Sequence, residues 1–148
     1  MDEKTYTLND LAMMTGFTTR TLRNYLLQGL LKGEKTDGVW RFTPQELETF
    51  FAEPFVKEGL RIKHSAAVFD FLADKQKKEN RICIILDLPT ARKEGQQISS
   101  FFCEQMNRIS DTTFTFDWDH NFGRVILSGA EGQVMKILEA YNAFRLEN

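Results

Sequence analysis

The sequence predicts an α+β chain built in two parts, and three observations carry that prediction. Up to about residue 58, apolar residues recur at helical spacing in short runs that glycine and proline interrupt. Within that stretch, two short extended runs meet at Asp37-Gly38, a strong hairpin signal. Beyond residue 80 come a continuous apolar run, a helical stripe and an alternating apolar and polar segment, the mixture expected of a small sheet covered by helices. The 148 residues, 42% apolar and 27% charged, fit one or two small folded units. They exclude a chain that is disordered throughout and a large scaffold of several catalytic lobes.

Thr7-Leu-Asn-Asp10 reads as a capping box with Asp in place of Glu, followed by Leu8, Leu11 and Ala12 at helical spacing and Gly16 as the stop. A second helix opens with Thr18 as N-cap, places Leu22 and Leu26 on one face and ends at Gly29. Leu30 to Phe42 then forms a two-stranded wing turning at Asp37-Gly38. Thr43-Pro-Gln-Glu46 starts a third helix with Thr at the N-cap, Pro at the first position and Glu at the third. Leu47, Phe50 and Phe51 are its inner stripe, and Pro54 its stop.

Helix, turn, helix, wing, helix is an order suited to placing one short helix in the DNA major groove while the hairpin touches the backbone beside it. Three stretches also carry a family resemblance: Tyr6-Thr-Leu-Asn-Asp-Leu-Ala12, Thr15-Gly-Phe-Thr-Thr-Arg-Thr-Leu-Arg-Asn-Tyr25 and Gly29-Leu-Leu31. Together they resemble the winged helix-turn-helix DNA-binding domain of MerR-family bacterial transcription regulators, over about residues 5 to 51. Asn24 stands where that family usually has an aromatic, and the wing Gly38-Val-Trp-Arg-Phe42 is more similar to excisionase-like relatives. The resemblance implies a homodimeric transcription regulator. The alternative of a different class is a protein-interaction adaptor or recombination accessory protein that reuses the wing and helices.

A helix starting near Thr18 turns Thr19, Arg20, Arg23 and Asn24 away from the Leu22 and Leu26 face. Arg bridges guanine or phosphate bidentately, Asn bridges adenine, and Thr hydroxyls suit phosphate oxygens. Thr18, Thr19, Arg20, Arg23 and Asn24 are thus the candidate reading head. Lys32, Lys35 and Arg41 are the candidate backbone contacts from the wing, as the corresponding basic residues are in the family. Tyr25 resembles the family aromatic that packs near the helix and reaches phosphate. Trp40 and Phe42 are expected in the core beneath the wing.

The formal charge of −2 argues at first against a polyanion partner. Residues 18 to 41, however, hold five basic groups against Glu34 and Asp37, a local +3, while the rest of the first 59 residues carries −5. From Gly59 onward the charges balance at 12 of each sign. The positive field is confined to the proposed contact side, so site-selective binding is expected instead of general affinity for polyanions. One small module makes few phosphate contacts, which favours a dimer on a two-fold site.

For the second half, Arg61 to Asn80 reads as an amphipathic helix through Ile62, Ala66, Phe69, Leu72 and Ala73, with Lys75, Lys77 and Lys78 near its C-terminus. Arg81 to Asp87 reads as a strand buried on both faces and ended by Pro89. Ile98, Phe101, Phe102, Gln105, Met106 and Ile109 mark a helix. Phe114, Phe116 and Trp118 alternate in a strand, which turns at His120 to Gly123 into Arg124 to Ser128. A last helix carries Val134, Ile137, Leu138, Tyr141 and Phe144.

The expected organisation is therefore a winged helix-turn-helix over 1–58, a linker or dimerisation helix over 59–80, and a three-stranded αβαββα sandwich over 81–148 with helices on one face. This last unit would dimerise or bind a small-molecule effector, since eight of the 13 phenylalanines lie from Gly59 onward. Cys83 and Cys103 are expected as buried thiols. Asp87, Asp117, Asp119 and His120 form the best cation or catalytic cluster, but strand-end carboxylates more often cap or face water. No glycine-rich phosphate loop, nucleophile elbow or zinc spacing occurs, so neither an enzyme nor a bound metal or cofactor is expected. No leader or membrane segment is read either, so the expected location is the cytoplasm, at the nucleoid.

Overall fold

A computed structural model describes residues 5–89, 92–109, 111–118 and 123–147, with the backbone alone given for 92–96 and Trp118. The order is β1 (Tyr6–Thr7), α1 (Leu8–Thr15), α2 (Thr19–Gln28), β2 (Glu34–Thr36), β3 (Val39–Phe42), α3 (Pro44–Ala52) and α4 (Pro54–Ala73). It continues with β4 (Arg81–Leu88), α5 (Arg92–Arg108), β5 (Thr112–Trp118), β6 (Gly123–Ala130) and α6 (Glu131–Glu147).

The caps form as the side chains dictate. The Thr7 hydroxyl accepts from the Asp10 amide at 3.1 Å while the Asp10 carboxylate accepts from the Thr7 amide at 3.0 Å. Thr43 and Glu46 repeat that reciprocal arrangement at the start of α3. Asp37 (φ 51°) and Gly38 (φ 78°) both take positive φ, the requirement of a tight turn whose twist matches the flanking strands. The hairpin pairs Glu34 with Arg41, Lys35 with Trp40 and Thr36 with Val39. Lys32 lies ahead of β2 and not within it, because the extended run begins only after Gly33.

The sequence pattern missed β1. Tyr6 and Thr7 pair with Phe42 and Arg41, making the wing three-stranded in the order β1-β3-β2. A two-residue strand is too short to show periodicity. It buries Tyr6 fully, and its hydroxyl lies 2.7 Å from Ser99 Oγ and 2.9 Å from Ser100 Oγ on α5. The wing is thereby tied directly to the second half, and the buried apolar residues of both halves form one contiguous cluster.

The linker helix differs most from expectation. Pro54 stops α3 but also opens α4, since its fixed φ and missing N–H suit a first helical position. The helix runs over Pro54–Ala73 instead of 61–80, so the boundary expected between 58 and 59 falls inside it, and Lys75, Lys77 and Lys78 lie beyond its end. Lys77 still serves that end: its ammonium donates to the Phe71 carbonyl at 2.6 Å and to that of Asp74. The buried face is Val56, Leu60 and His64, four residues apart, while the expected stripe of Ile62, Phe69 and Leu72 is exposed.

The second sheet has the order β4-β6-β5, antiparallel throughout. One face, with Phe114, Phe116, Val125 and Leu127, packs against α5 and α6, where Phe102 meets Phe114 at 5.5 Å between ring centroids and Tyr141 at 5.2 Å. On the other face α4 stands over Ile85, Asp87, Arg124 and Ile126 across an open groove. Helices therefore lie on both faces, not on one. β4 is an edge strand and is not buried on both faces: Ile85 is 53% exposed and Asp87 is exposed too. A continuous apolar run cannot distinguish a central strand from an edge, because which neighbour it lacks is settled by the rest of the sheet. Cys83 and Cys103 are free thiols, half-buried and buried.

Candidate nucleic-acid interface

Helix α2 is held by its ends and by one face. The Thr18 hydroxyl accepts from the Thr21 amide at 3.1 Å and donates to the Thr21 hydroxyl at 3.0 Å. At the other end Gly29, at φ 79°, lets the chain turn back, so that the Leu30 amide reaches the Tyr25 carbonyl at 2.9 Å. Leu22 and Tyr25 face inward. The Tyr25 ring packs edge-on against Phe17 at 5.5 Å, against Phe50 at 5.8 Å and edge-on against Phe55 at 6.1 Å.

The opposite face is the polar one the spacing predicts. Thr18, Arg20, Arg23 and Asn24 are exposed and Thr19 is half-buried. Among the described residues no carboxylate pairs with Arg20 or Arg23, so both guanidinium groups keep their donor forks free for an external acceptor. Arg23 also lines a small cleft of about 190 Å³ with Thr7, Leu8, Asn9, Gly38, Val39 and Trp40. The fold thus brings the recognition helix and the tip of the wing onto one surface. Asn9, an exposed amide in the first turn of α1, joins them there. Nothing in its sequence setting marks it, since its position depends on the wing folding back over α1.

The wing residues are placed less uniformly than the sequence suggests. Lys35 shares a ribbon face with Trp40, its Nζ lying 5.9 Å from the ring centroid, and Trp40 in turn stacks on Phe42 at 6.3 Å and 13°. Arg41 points to the other face, directly across from Glu34. Phe42 is fully buried and Trp40 half-buried, as residues beneath a wing should be. Lys32, Lys35 and Arg41 are all exposed. Tyr25 is buried, and that burial pushes its phenol up from the ordinary value, so it stays a protonated O–H donor.

The strand-end carboxylates have a different role from the cation site considered above. Arg124 sits between Asp87 and Asp117 in register, and its guanidinium donates to both Asp87 oxygens at 2.6 and 3.0 Å. This pair lowers the Asp87 carboxyl below the usual range. Asp119, His120 and the turn that contains them lie outside the described residues. Among the described residues no three His, Cys, Asp or Glu side chains gather as metal ligands would, and no helix is long and apolar enough to cross a membrane.

His64 is a buried titratable group on α4. It is 7% exposed on α4, its Nε2 has no hydrogen-bond partner among the described residues, and it faces a groove whose rim holds Arg124 and Asp87. Desolvation, helped by the Arg124 charge, pulls its pKa from 6.5 down to about 4. The folded chain therefore holds a neutral imidazole that the unfolded chain protonates. Stability is fully present above about pH 6.5 and is lost as the pH falls from there towards 4. Urea unfolding at pH 7.5 and at pH 4.5 should show His64→Gln losing about 2 to 3 kcal/mol less than the parent between those values.

A helix-turn-helix with a free, cationic second helix beside a three-stranded wing defines a DNA-binding module of the winged class. Residues 6–71 match the family described as MerR HTH family regulatory protein, from β1 to near the end of α4. Over that stretch, a little under half of its length, the chain is similar to the DNA-binding part of that family. No curated protein and no solved structure matches the chain.

Proposed function

We propose that the protein is a sequence-specific transcription regulator that binds DNA as a homodimer, with α2 in the major groove and the wing along the neighbouring backbone. The observation that carries this reading is the exposed face of α2 with Arg20, Arg23 and Asn24, whose Arg23 shares a cleft with the wing tip and whose two guanidinium groups are unpaired among the described residues, in the stretch that matches the MerR family. Arg20, Arg23 and Asn24 read base edges. Thr18, Thr19 and the Tyr25 hydroxyl hold phosphate. Lys32, Lys35 and Arg41 add backbone contacts. The part up to α3 is the reading head, α4 and the stretch to residue 80 the connection, and 81–148 the dimerising part, in a protein that works in the cytoplasm at the nucleoid.

Selection of bound duplexes from a random pool should return an inverted repeat whose half-sites lie about one helical turn, or a multiple of it, apart. On that duplex, the combined Lys35→Ala and Arg41→Ala variant should lower affinity evenly across sequences and reduce the slope of log K against log salt by about 1 to 2 per bound protomer. A pool with no enriched sequence, beside capture of one protein partner, supports the adaptor reading instead. We assign any small-molecule effector to the groove of about 520 Å³ between α4 and the sheet, where His64 offers an unsatisfied ring nitrogen among apolar walls. A thermal-shift screen against metabolites reads its occupancy.

A further inference from the structure

We infer that two copies of this chain join through the free edge of β4, strand to antiparallel strand, in a register centred on Ile84. The inference rests on the homodimer reading and names the surface that makes it. β4 is an outer strand of β4-β6-β5: all eight of its residues pair with β6 on one side, and among the described residues none pairs on the other. Unpaired edges invite pairing, and proteins usually blunt them with shortness, proline, lysine or a bulge. Arg81-Ile-Cys-Ile-Ile-Leu-Asp-Leu88 has none of these; it is long, apolar between its charged positions, and in unbroken register.

Its burial has the same one-sided character. The core-facing Ile82, Ile84 and Leu86 are only half-buried, whereas Val125 and Leu127, their neighbours one strand inward, are fully buried. What they lack is cover from beyond the edge. On the opposite face Ile85 is 53% exposed, and beside it Phe69 and Leu72 of α4 line the same groove, each 69% exposed. A second sheet alongside places the partner's groove next to this one and supplies apolar neighbours to all of these groups.

Charge selects the register and the occupant. Centred on Ile84, antiparallel self-pairing sets Arg81 opposite the partner's Asp87 and the reverse, with Ile82 opposite Leu86 and Cys83 opposite Ile85. Two opposite-charge pairs then close the two ends. A shift by one residue sets the core face of one strand against the outer face of the other. Centring on Cys83 instead sets Asp87 against the partner's Glu79, and centring on Ile85 sets Arg81 against Pro89, so neither register keeps the two charge pairs. A second copy of this chain, two-fold related, is the occupant that matches the strand at both ends.

The test uses the full chain. Light scattering after size exclusion should give twice the chain mass. Ile85→Cys sets a thiol opposite the partner's Cys83, so mild oxidation should convert most of that variant to a covalent dimer that reducing agent dissolves. Adding Cys83→Ser should abolish the cross-link while the mass in solution stays that of a dimer. Cys103 is buried and does not compete. A wild-type dimer whose Ile85→Cys variant does not cross-link overturns the β4 interface and leaves the dimer reading standing. A wild-type monomer at every concentration, on and off DNA, overturns both. Open-ended oligomers overturn the two-fold register.

Discussion

Replacing Arg20 and Arg23 together with alanine should weaken binding to the selected duplex by at least about a hundredfold, with no change in the thermal unfolding midpoint beyond a degree or two. Each guanidinium that bridges a base edge is worth about 1–3 kcal/mol of discrimination, and a dimer presents each of them twice. The protein loses little in exchange, because both side chains are exposed and no described carboxylate pairs with either. Fluorescence anisotropy on specific and scrambled duplexes checks this. Equal losses on the two would show that the arginines touch only phosphate, and unchanged affinity for both would remove α2 from the interface.

The second large effect concerns folding. Phe50→Ala should cost about 3–5 kcal/mol of stability, a substantial share of what a domain of this size has. Phe50 is fully buried, touches Phe51 at 5.6 Å and carries the Tyr25 ring from below at 5.8 Å. Its loss leaves a void directly behind the recognition helix, so DNA affinity should fall along with stability. Urea unfolding and anisotropy on one sample separate this behaviour from that of the arginine variant, in which affinity falls alone. A loss below about 1 kcal/mol would mean that the site collapses to fill the space.

Tyr6 gives these two halves a physical connection. It pairs with Phe42 in the wing and bonds to Ser99 and Ser100 in α5, so a single residue spans from α5 to the strand that carries Arg41. The contiguous core supports the same view, since the reading head has no separate apolar interior of its own.

Much of the N-terminal half was legible because its signals are local. Thr7, Thr18 and Thr43 cap helices through hydroxyls that reach amides three residues ahead, and Asp37-Gly38 turns because those two residues tolerate positive φ. Such interactions close within one turn of chain, so the residue types and their spacing are enough. The polar face of α2 followed equally directly from helical spacing around Leu22. Lys35 and Arg41 were legible as basic wing residues but not as occupants of opposite faces, because their facing depends on hairpin register.

The sequence alone determined the caps, the turns, the polar face of α2 and the order of elements apart from β1. The tertiary structure decided which face of α4 is buried, that β4 stands at an edge, and that Tyr6 ties the wing to α5. The physical reason is the range of the forces involved. Capping and turn geometry are set within a few residues, whereas burial of an apolar side chain depends on whatever surface arrives from elsewhere in the chain. Phe51 and Phe69 are the same residue type on neighbouring helices, and one is fully buried while the other is mostly exposed, because the first lies within the contiguous core and only an open groove adjoins the second.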